Sequence, residues 1–280
     1  MTLEEFLAAR PMLFALAYRM LGSSSEAEDV LQEAWLRASA ASGINNAEAW
    51  LTTVATRLCL DVLGSARVRR EEYVGPWLPE PIVTDGPEQA AELADSVSLA
   101  FLVLLEELSP AERAAFLLRE VFRFDYAEVG SMLDRSEASC RQLVSRAHKH
   151  VDDRRTRFTA DRDRAQELSL SFLFACQTGD LSTVTSMLAA DAVLISDGGG
   201  KVSAARRPIN GPDHIGRFLI GVLQKVPTAT YKVATVNGEP GVVSYLDGVV
   251  LNAVAVEVID DLITGIRIVS NPDKLAGIAL

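Results

Sequence analysis

Residues 125–150 read DYAEVGSMLDRSEASCRQLVSRAHKH, and the rest of the chain is best read outward from them. Across residues 126–133, apolar Ala127, Val129, Met132 and Leu133 recur at helical spacing. Asp134-Arg135 interrupts that pattern. Ser136 is a natural N-cap, and Glu137 puts a negative charge in the first turn of a second helix. The second helix is expected to bury Ala138, Leu143, Val144 and Ala147, and to show solvent Ser139, Arg141, Gln142, Ser145, Arg146 and Lys149. Two short helices, a tight turn and a polar, basic outer face predict a helix-turn-helix. Arg and Gln pair with base edges in the major groove, while Ser and Lys hold phosphates. An ordinary helical hairpin with a solvated face has the same pattern, so support has to come from the flanking sequence.

The chain has 280 residues, enough for two or three modules, and 49% of them are hydrophobic, enough for buried cores. No apolar run approaches the ~20 residues that span a bilayer, so no membrane partner is expected. The N-terminus, MTLEEFLAAR, is acidic and amphipathic, unlike a secretory signal. Cys59, Cys140 and Cys176 show neither disulfide nor metal-ligand spacing, which fits a reducing cytoplasm, and neither metal nor cofactor is expected. The net charge of −11 looks wrong for a DNA binder. Its distribution explains part of this: residues 73–95 hold five acidic and no basic groups, whereas residues 96–155 hold ten acidic and nine basic. Two local basic patches remain, Arg67, Arg69 and Arg70, and then Arg141, Arg146 and Lys149. Patches of this size give modest phosphate affinity, so the chain is expected to bind DNA weakly alone and to need a partner.

Residues 1–72 read as helices over 4–21, 26–41 and 47–69, separated by Gly22 with Ser23–Ser25 and by a polar loop over 42–47. Pro76, Pro79, Pro81 and Pro87 exclude a regular helix from the linker over 73–95. Its WLPEP string (residues 77–81) reads either as a lone hydrophobe tacked to a neighbouring surface or as a docking clip. Helices are expected again over 97–108, from the Ser109-Pro110 start to 122, over 161–178 and over 181–188. Then β signals dominate: an apolar run over 192–196, the turn 197–201, a helix over 211–226, and strands over 228–236, 242–246, 249–259 and 262–269. Asn237-Gly238, Asp247-Gly248 and Asp260-Asp261 join those strands. The predicted architecture is multidomain: two all-α domains, then an α+β domain whose curved antiparallel sheet folds over helices.

Several stretches in order resemble an extracytoplasmic-function sigma factor, the small two-domain type that directs bacterial RNA polymerase to promoters. AEDVLQEAWLRA (27–38) resembles the helix that grips the polymerase clamp, and AWLTTVATRLCLDVL (49–63) the helix that opens and reads the −10 element. LSPAERAAFLLREVFRFDYAEVGSML (108–133) leads into the reader of the −35 element. Residues 159–275 resemble a SnoaL-like domain of the NTF2-like fold. With WLPEP, DGGGK (197–201) and NPDKL (271–275), the combination is similar to the SigJ-type subgroup of these sigma factors. The domains implied are region 2 over 1–72, the acidic linker over 73–95, region 4 over 96–157 and the SnoaL-like domain over 158–280.

The resemblance implies core RNA polymerase and promoter DNA as partners and a chain that is monomeric when free. Asp29, Leu31, Gln32, Trp35 and Leu36 match the polymerase-binding helix, with Leu31 and Trp35 equally readable as core. Asn45, Asn46 and Trp50, with Arg57, Arg67, Arg69 and Arg70, are the −10 candidates. An extruded base needs hydrogen bonds to its pairing edge, which either Asn supplies, though either equally reads as a helix cap. Ser139, Arg141, Gln142, Ser145, Arg146 and Lys149 are the −35 candidates. Trp77, Leu78 and Pro79, with Asp197, Gly198, Gly199, Gly200, Lys201, Asn271, Pro272, Asp273 and Lys274, are expected to act between domains, tuning sigma activity in cis. A hydrophobic cavity there has room for a small-molecule ligand. The alternative is a SnoaL-type enzyme with a DNA-binding leader, for which Asp197, Asp213, His214, Asp247 and Asn252 are candidates without convincing catalytic spacing. DGGGK lacks the spacing of a phosphate-binding Walker loop.

Overall fold

The computed structural model describes residues 1–71, 73–84, 98–152 and 162–278, with side chains for 1–65, 73–84, 98–151 and 164–278. The side chains of Arg67, Arg69 and Arg70, and the acidic stretch 85–95, lie outside the described residues. The chain divides into two compact units, residues 1–72 with 102–155, and residues 73–101 with 156–280.

The first unit is helical. α1 (Leu3–Leu21) starts in a Thr2/Glu5 capping box and stops at Gly22, whose φ of 69° lets its N–H reach the Tyr18 carbonyl at 2.7 Å. α2 (Ser24–Ala40) is capped by Ser23, and α3 runs Ala47–Glu71. Leu13, Leu16, Leu31, Leu51 and Ala55 fill the space between them. α4 (Leu99–Glu106) precedes the Ser109/Glu112 capping box that opens α5 (Pro110–Phe116). The expected single helix to residue 122 instead widens over Leu117–Val121 into a π-helical turn, closed by Phe122 N–H on the Leu117 carbonyl. The wider turn buries Leu117 and Leu118 side by side.

α6 (Tyr126–Leu133) and α7 (Glu137–Asp152) form the helix-turn-helix. Asp134 takes the left-handed conformation (φ 53°), and Arg135 N–H bonds the Gly130 carbonyl at 2.9 Å. A Cβ on Gly130 would lie 2.7 Å from the Arg135 carbonyl oxygen, so the tight return requires glycine. One expectation fails here: Ala138 is exposed, and Cys140 takes the core place beside Leu143, Val144, Ala147 and Val151. The reason is phase. Cys140, Leu143, Val144 and Ala147 repeat at i, i+3, i+4 and i+7, and Ala138 falls off that stripe.

The second unit is built on a seven-stranded sheet ordered β1-β4-β5-β6-β7-β2-β3. The strands are β1 (Val83–Thr84), β2 (Leu188–Asp197), β3 (Ile209–Asn210), β4 (Thr230–Val236), β5 (Glu239–Leu246), β6 (Val249–Ile259) and β7 (Leu262–Val269). Asn237, Asp247, Asp260 and Asp261 all have positive φ, as tight hairpin turns demand. The sheet is mixed rather than antiparallel, because β2 runs parallel to β7. An apolar run carries no sign of its direction, and the long path between these two strands permits a parallel pair. The expected linker also contributes to the sheet: β1 pairs antiparallel with β4. Helices α8 (Arg162–Thr178), α9 (Leu181–Ser186) and α10 (Pro212–Leu223) cover one face, packing Phe172, Cys176, Val184 and Ile215 against Leu194, Val256 and Ile266. A last short helix, α11 (Pro272–Leu275), is capped by Asn271.

Candidate DNA-reading helices and a buried clasp

On α7, Ser136 accepts the Ser139 N–H at 3.2 Å, fixing where the helix begins. Arg141, Gln142, Ser145, Arg146 and Lys149 are exposed together, and Ser139 is half-buried at the edge of that face. Two of the arginines already hold carboxylates. Arg141 pairs with Glu137 at 2.8 Å and lies over the Tyr126 ring, and Arg146 pairs with Glu112 at 2.9 Å.

The −10 candidates separate. Asn46 accepts the Ala49 N–H at 3.0 Å and so caps α3, whereas Asn45 is exposed in the loop, where Gly43 turns with φ 76°. Trp50 is half-buried. Arg57 donates to the carbonyls of Met132 (3.2 Å) and Ser131 (3.4 Å), occupying the C-terminal end of α6. That is where a cation suits a helix, and it is a structural use of a residue expected on phosphate.

On α2, Asp29, Gln32 and Leu36 are exposed at i, i+3 and i+7, one face of the helix. Leu36 is 61% exposed, a large apolar side chain between polar neighbours. Leu31 is core, and Trp35 is half-buried with its ring 5.0 Å from that of Phe6.

Sequence reasoning missed Arg113. It is buried, donating at 2.6 Å to both the Met20 carbonyl and Glu106, and burial pushes its pKa down to about 10. Nothing in LSPAER distinguishes it from a solvated arginine.

In the second unit the three motif strings meet in one buried cluster. Asp197, fully buried at the end of β2, is its centre. One carboxylate oxygen accepts the Tyr73 hydroxyl (2.6 Å) and the Gly199 N–H (2.9 Å). The other accepts the Leu78 N–H (2.9 Å) and the Lys274 ammonium (2.7 Å). Lys274 also donates to the Leu78 carbonyl and lies over the rings of Trp77 (4.3 Å) and Tyr73 (5.0 Å). Asn271 donates to the Tyr73 hydroxyl at 2.9 Å while its carbonyl oxygen caps α11. Burial and the bond to Asp197 push the Tyr73 phenol pKa up. A Cβ on Gly199 would lie 2.4 Å from the Asn271 amide, so the turn can close on Asn271 only without a side chain there. Gly198 accepts the Lys201 N–H, and Lys201 pairs with Asp273 at the exposed rim. Leu78 and Pro79 are buried. The arrangement is a clasp: β2, the glycine turn and α11 grip residues 73–82, and Asn237 continues the grip by bonding both backbone groups of Ile82.

The enzyme candidates do not gather. Asp197 is consumed by the clasp. Asp213 is exposed and paired with Arg217, His214 faces the Asn210 carbonyl, and Asp247 sits exposed in a hairpin turn. Asn252 alone of the five faces the cavity between the sheet and helices α8 and α10. No helix among the described residues is long and apolar enough to cross a membrane.

Comparison with known proteins follows the same division. A family model of Sigma-70 region 2 matches residues 6–70, and one of Sigma-70, region 4 matches residues 98–151. The chain is 40% identical over 294 residues to the ECF RNA polymerase sigma factor SigJ of Mycobacterium tuberculosis, covering 99% of this chain and 94% of that one. It is 32% identical over 216 residues to the ECF RNA polymerase sigma factor SigG of the same organism, covering 66% of this chain and 58% of that one. The crystal structure of M. tuberculosis SigJ matches with a TM-score of 0.80 at 37% identity, over 99% of both chains. With both sigma regions matched and this identity spanning the helical and sheet parts alike, the chain belongs to the extracytoplasmic-function (ECF) sigma factors of RNA polymerase.

Proposed function

We propose that this sigma factor binds core RNA polymerase, directs it to promoters and opens them, with the sheet domain modulating that activity in cis. The observation that carries the reading is the exposed face of α7: Arg141, Gln142, Ser145, Arg146 and Lys149 on the second helix of a helix-turn-helix. Those side chains read the −35 element. Asn45 supports an extruded base of the −10 element, with Trp50 beside it. Asp29, Gln32 and Leu36 form the polymerase-binding face of α2, a mixed apolar and polar surface suited to a protein partner.

The −35 face explains why a partner is needed. Arg141 and Arg146 must exchange Glu137 and Glu112 for phosphate or base, which lowers the gain from each DNA contact. Affinity therefore has to come from polymerase, which puts the protein's work in the cytoplasm. Cis modulation is supported by the clasp, because the residues it grips follow α3 directly in the chain. Interdomain control by the three motifs then operates through residues 73–82.

Run-off transcription with core RNA polymerase tests this. The full chain should give promoter-specific transcripts. Gln142→Ala should shift promoter preference, and Lys274→Met should change transcript yield from every promoter alike. Transcripts that are absent, or unchanged in both variants, would overturn the reading.

A further inference from the structure

We propose that the cavity between the sheet and helices α8 and α10 binds a small, uncharged, mostly apolar molecule carrying one hydrogen-bonding group, and that its occupancy is coupled to the Asp197 clasp. The coupling rests on the proposed cis control; the binding does not.

The lining argues the ligand class. The cavity has a volume of about 150 Å³, and Phe172, Leu173, Phe218, Leu219, Val254 and Ile266 are among the apolar side chains of its wall. A dry cavity of about this size holds a benzene-sized molecule. Among the described residues no Asp, Glu, Lys, Arg or His lines it, so a charged ligand would lose its hydration without a counter-ion. Its polar groups are neutral. Ser244 lies opposite Asn252 across β5 and β6, beside a register shift in that pair, and Tyr231 lies on the neighbouring strand β4.

Ser244 supplies the second, independent observation. It is 3% exposed, it lines the cavity, and its hydroxyl has no hydrogen-bond partner among the described residues. An unpaired buried hydroxyl destabilises the fold, and a ligand carbonyl or hydroxyl would relieve that cost. The contrast with Ser169, which also lines the cavity, is direct: its hydroxyl donates to the Ala165 carbonyl at 2.8 Å. One serine is satisfied by the fold, and the other is left for an occupant.

The wall is shared with the clasp. Ser196 lines the cavity while its neighbour Asp197 anchors Tyr73, Leu78 and Lys274. Ser270 also lines the cavity, donates its N–H to the Asp197 carbonyl at 2.7 Å, and precedes Asn271. Ser203 and Ala204 line the cavity on one side and, on the other, a second hollow walled by Val74, Gly75 and Pro76. Filling the cavity therefore acts on the strand ends and the loop that hold residues 73–78. A coupling free energy is reciprocal, so weakening the clasp must change ligand affinity by the same factor as ligand changes the clasp.

Calorimetric titration of the full chain with acetophenone tests this, with naphthalene as an apolar probe lacking an acceptor, and benzoate and benzylammonium as charged controls. Acetophenone should bind and the charged pair should not. Ser244→Ala, close in volume and checked for folding by circular dichroism, should weaken acetophenone about tenfold, as loss of one buried hydrogen bond does, and leave naphthalene within about twofold. Lys274→Met should shift acetophenone affinity several-fold. Absence of acetophenone binding at millimolar concentration, equal binding of the charged controls, or an unchanged affinity in Ser244→Ala would overturn the site. Unchanged affinity in Lys274→Met would overturn the coupling. None of these readouts involves polymerase, so failure here leaves the sigma assignment standing, and failed transcription leaves the site standing.

Discussion

The Lys274 ammonium lies 2.7 Å from the Asp197 carboxylate, with Asp197 fully buried and Lys274 only 14% exposed. A buried pair of this kind is worth little by itself, but breaking one half leaves the other charged and unpaired, at a cost of about 3–5 kcal/mol. Lys274→Met should therefore lower the sheet domain's stability by about that amount in chemical denaturation. Lys201→Met removes the exposed partner of Asp273 and should cost under about 1 kcal/mol. Equal effects of the two would show that the clasp is surface decoration.

Arg113 plays the corresponding part in the helical unit. Arg113→Met fits the space but leaves Glu106 without its cation and the Met20 carbonyl without its donor. The expected loss is about 3 kcal/mol, seen as a lower denaturation midpoint at unchanged slope. Arg119→Met, which removes a half-buried arginine donating to the Phe124 carbonyl, should cost far less.

Glu239 gives a pH dependence of definite sign. Burial pushes its pKa from 4.5 up to about 7, with the neighbouring Glu257 raising it further against the pull of Arg267. A hydrogen bond from the Leu99 backbone is the weakest influence on it, and it lowers the value. Between about pH 4.5 and 7 the folded chain keeps a proton that the unfolded chain has lost, so this group's contribution to stability falls as pH rises. At pH 8 the penalty is about 3 kcal/mol, the full shift expressed as energy. Glu239→Gln should raise the melting temperature at pH 8 and leave it nearly unchanged at pH 4.5. A variant equally stabilised at both would exclude titration of Glu239 as the cause.

Local pattern revealed the longer elements, missed the short strands β1 and β3, and gave no sign of the clasp. The hairpins were legible because Asn237-Gly238, Asp247-Gly248 and Asp260-Asp261 are residue pairs that tolerate positive φ, and all three turns have it. Ser109-Pro110 and Ser136 marked helix starts through the same chemistry that caps them in the fold. Periodicity, however, says nothing about partners far apart in sequence. Tyr73, which bonds both Asp197 and Asn271, stood outside every motif, and its bond to Asp197 spans 124 residues. Arg113 and Glu239 were hidden because a charged residue is buried only when tertiary packing supplies or denies a partner. Trp77 stood out as a hydrophobe in a polar linker and Asp197 as a possible acid, but only the resemblance put them with Lys274, and the physical reason came when the carboxylate and ammonium lay side by side.

The two adjacent asparagines offer a clean separation of structure from recognition. Asn46→Ala removes the cap on α3 and should cost about 1 kcal/mol of stability while its effect on transcription stays proportionate to folding. Asn45→Ala touches no cap and should leave the denaturation midpoint unchanged, yet slow promoter opening measured by permanganate footprinting of the −10 region. If Asn45→Ala opens promoters normally, the extruded base is held elsewhere.

Gln142 and Lys149 share the exposed face of α7 but differ in what DNA they can sense. Gln142 presents an amide that can pair with a base edge, so Gln142→Ala should cost about 1–3 kcal/mol on the preferred −35 sequence and relax discrimination at one base pair. Lys149 presents a point charge. Lys149→Ala should weaken every promoter alike and reduce the slope of log affinity against log salt by about one. Both measurements belong on the polymerase holoenzyme, because Arg141 and Arg146 are engaged with Glu137 and Glu112 in the chain alone. A uniform loss from Gln142→Ala, with the salt slope reduced, would reassign that residue to the phosphate backbone and leave base reading to Ser139, Arg141 and Arg146.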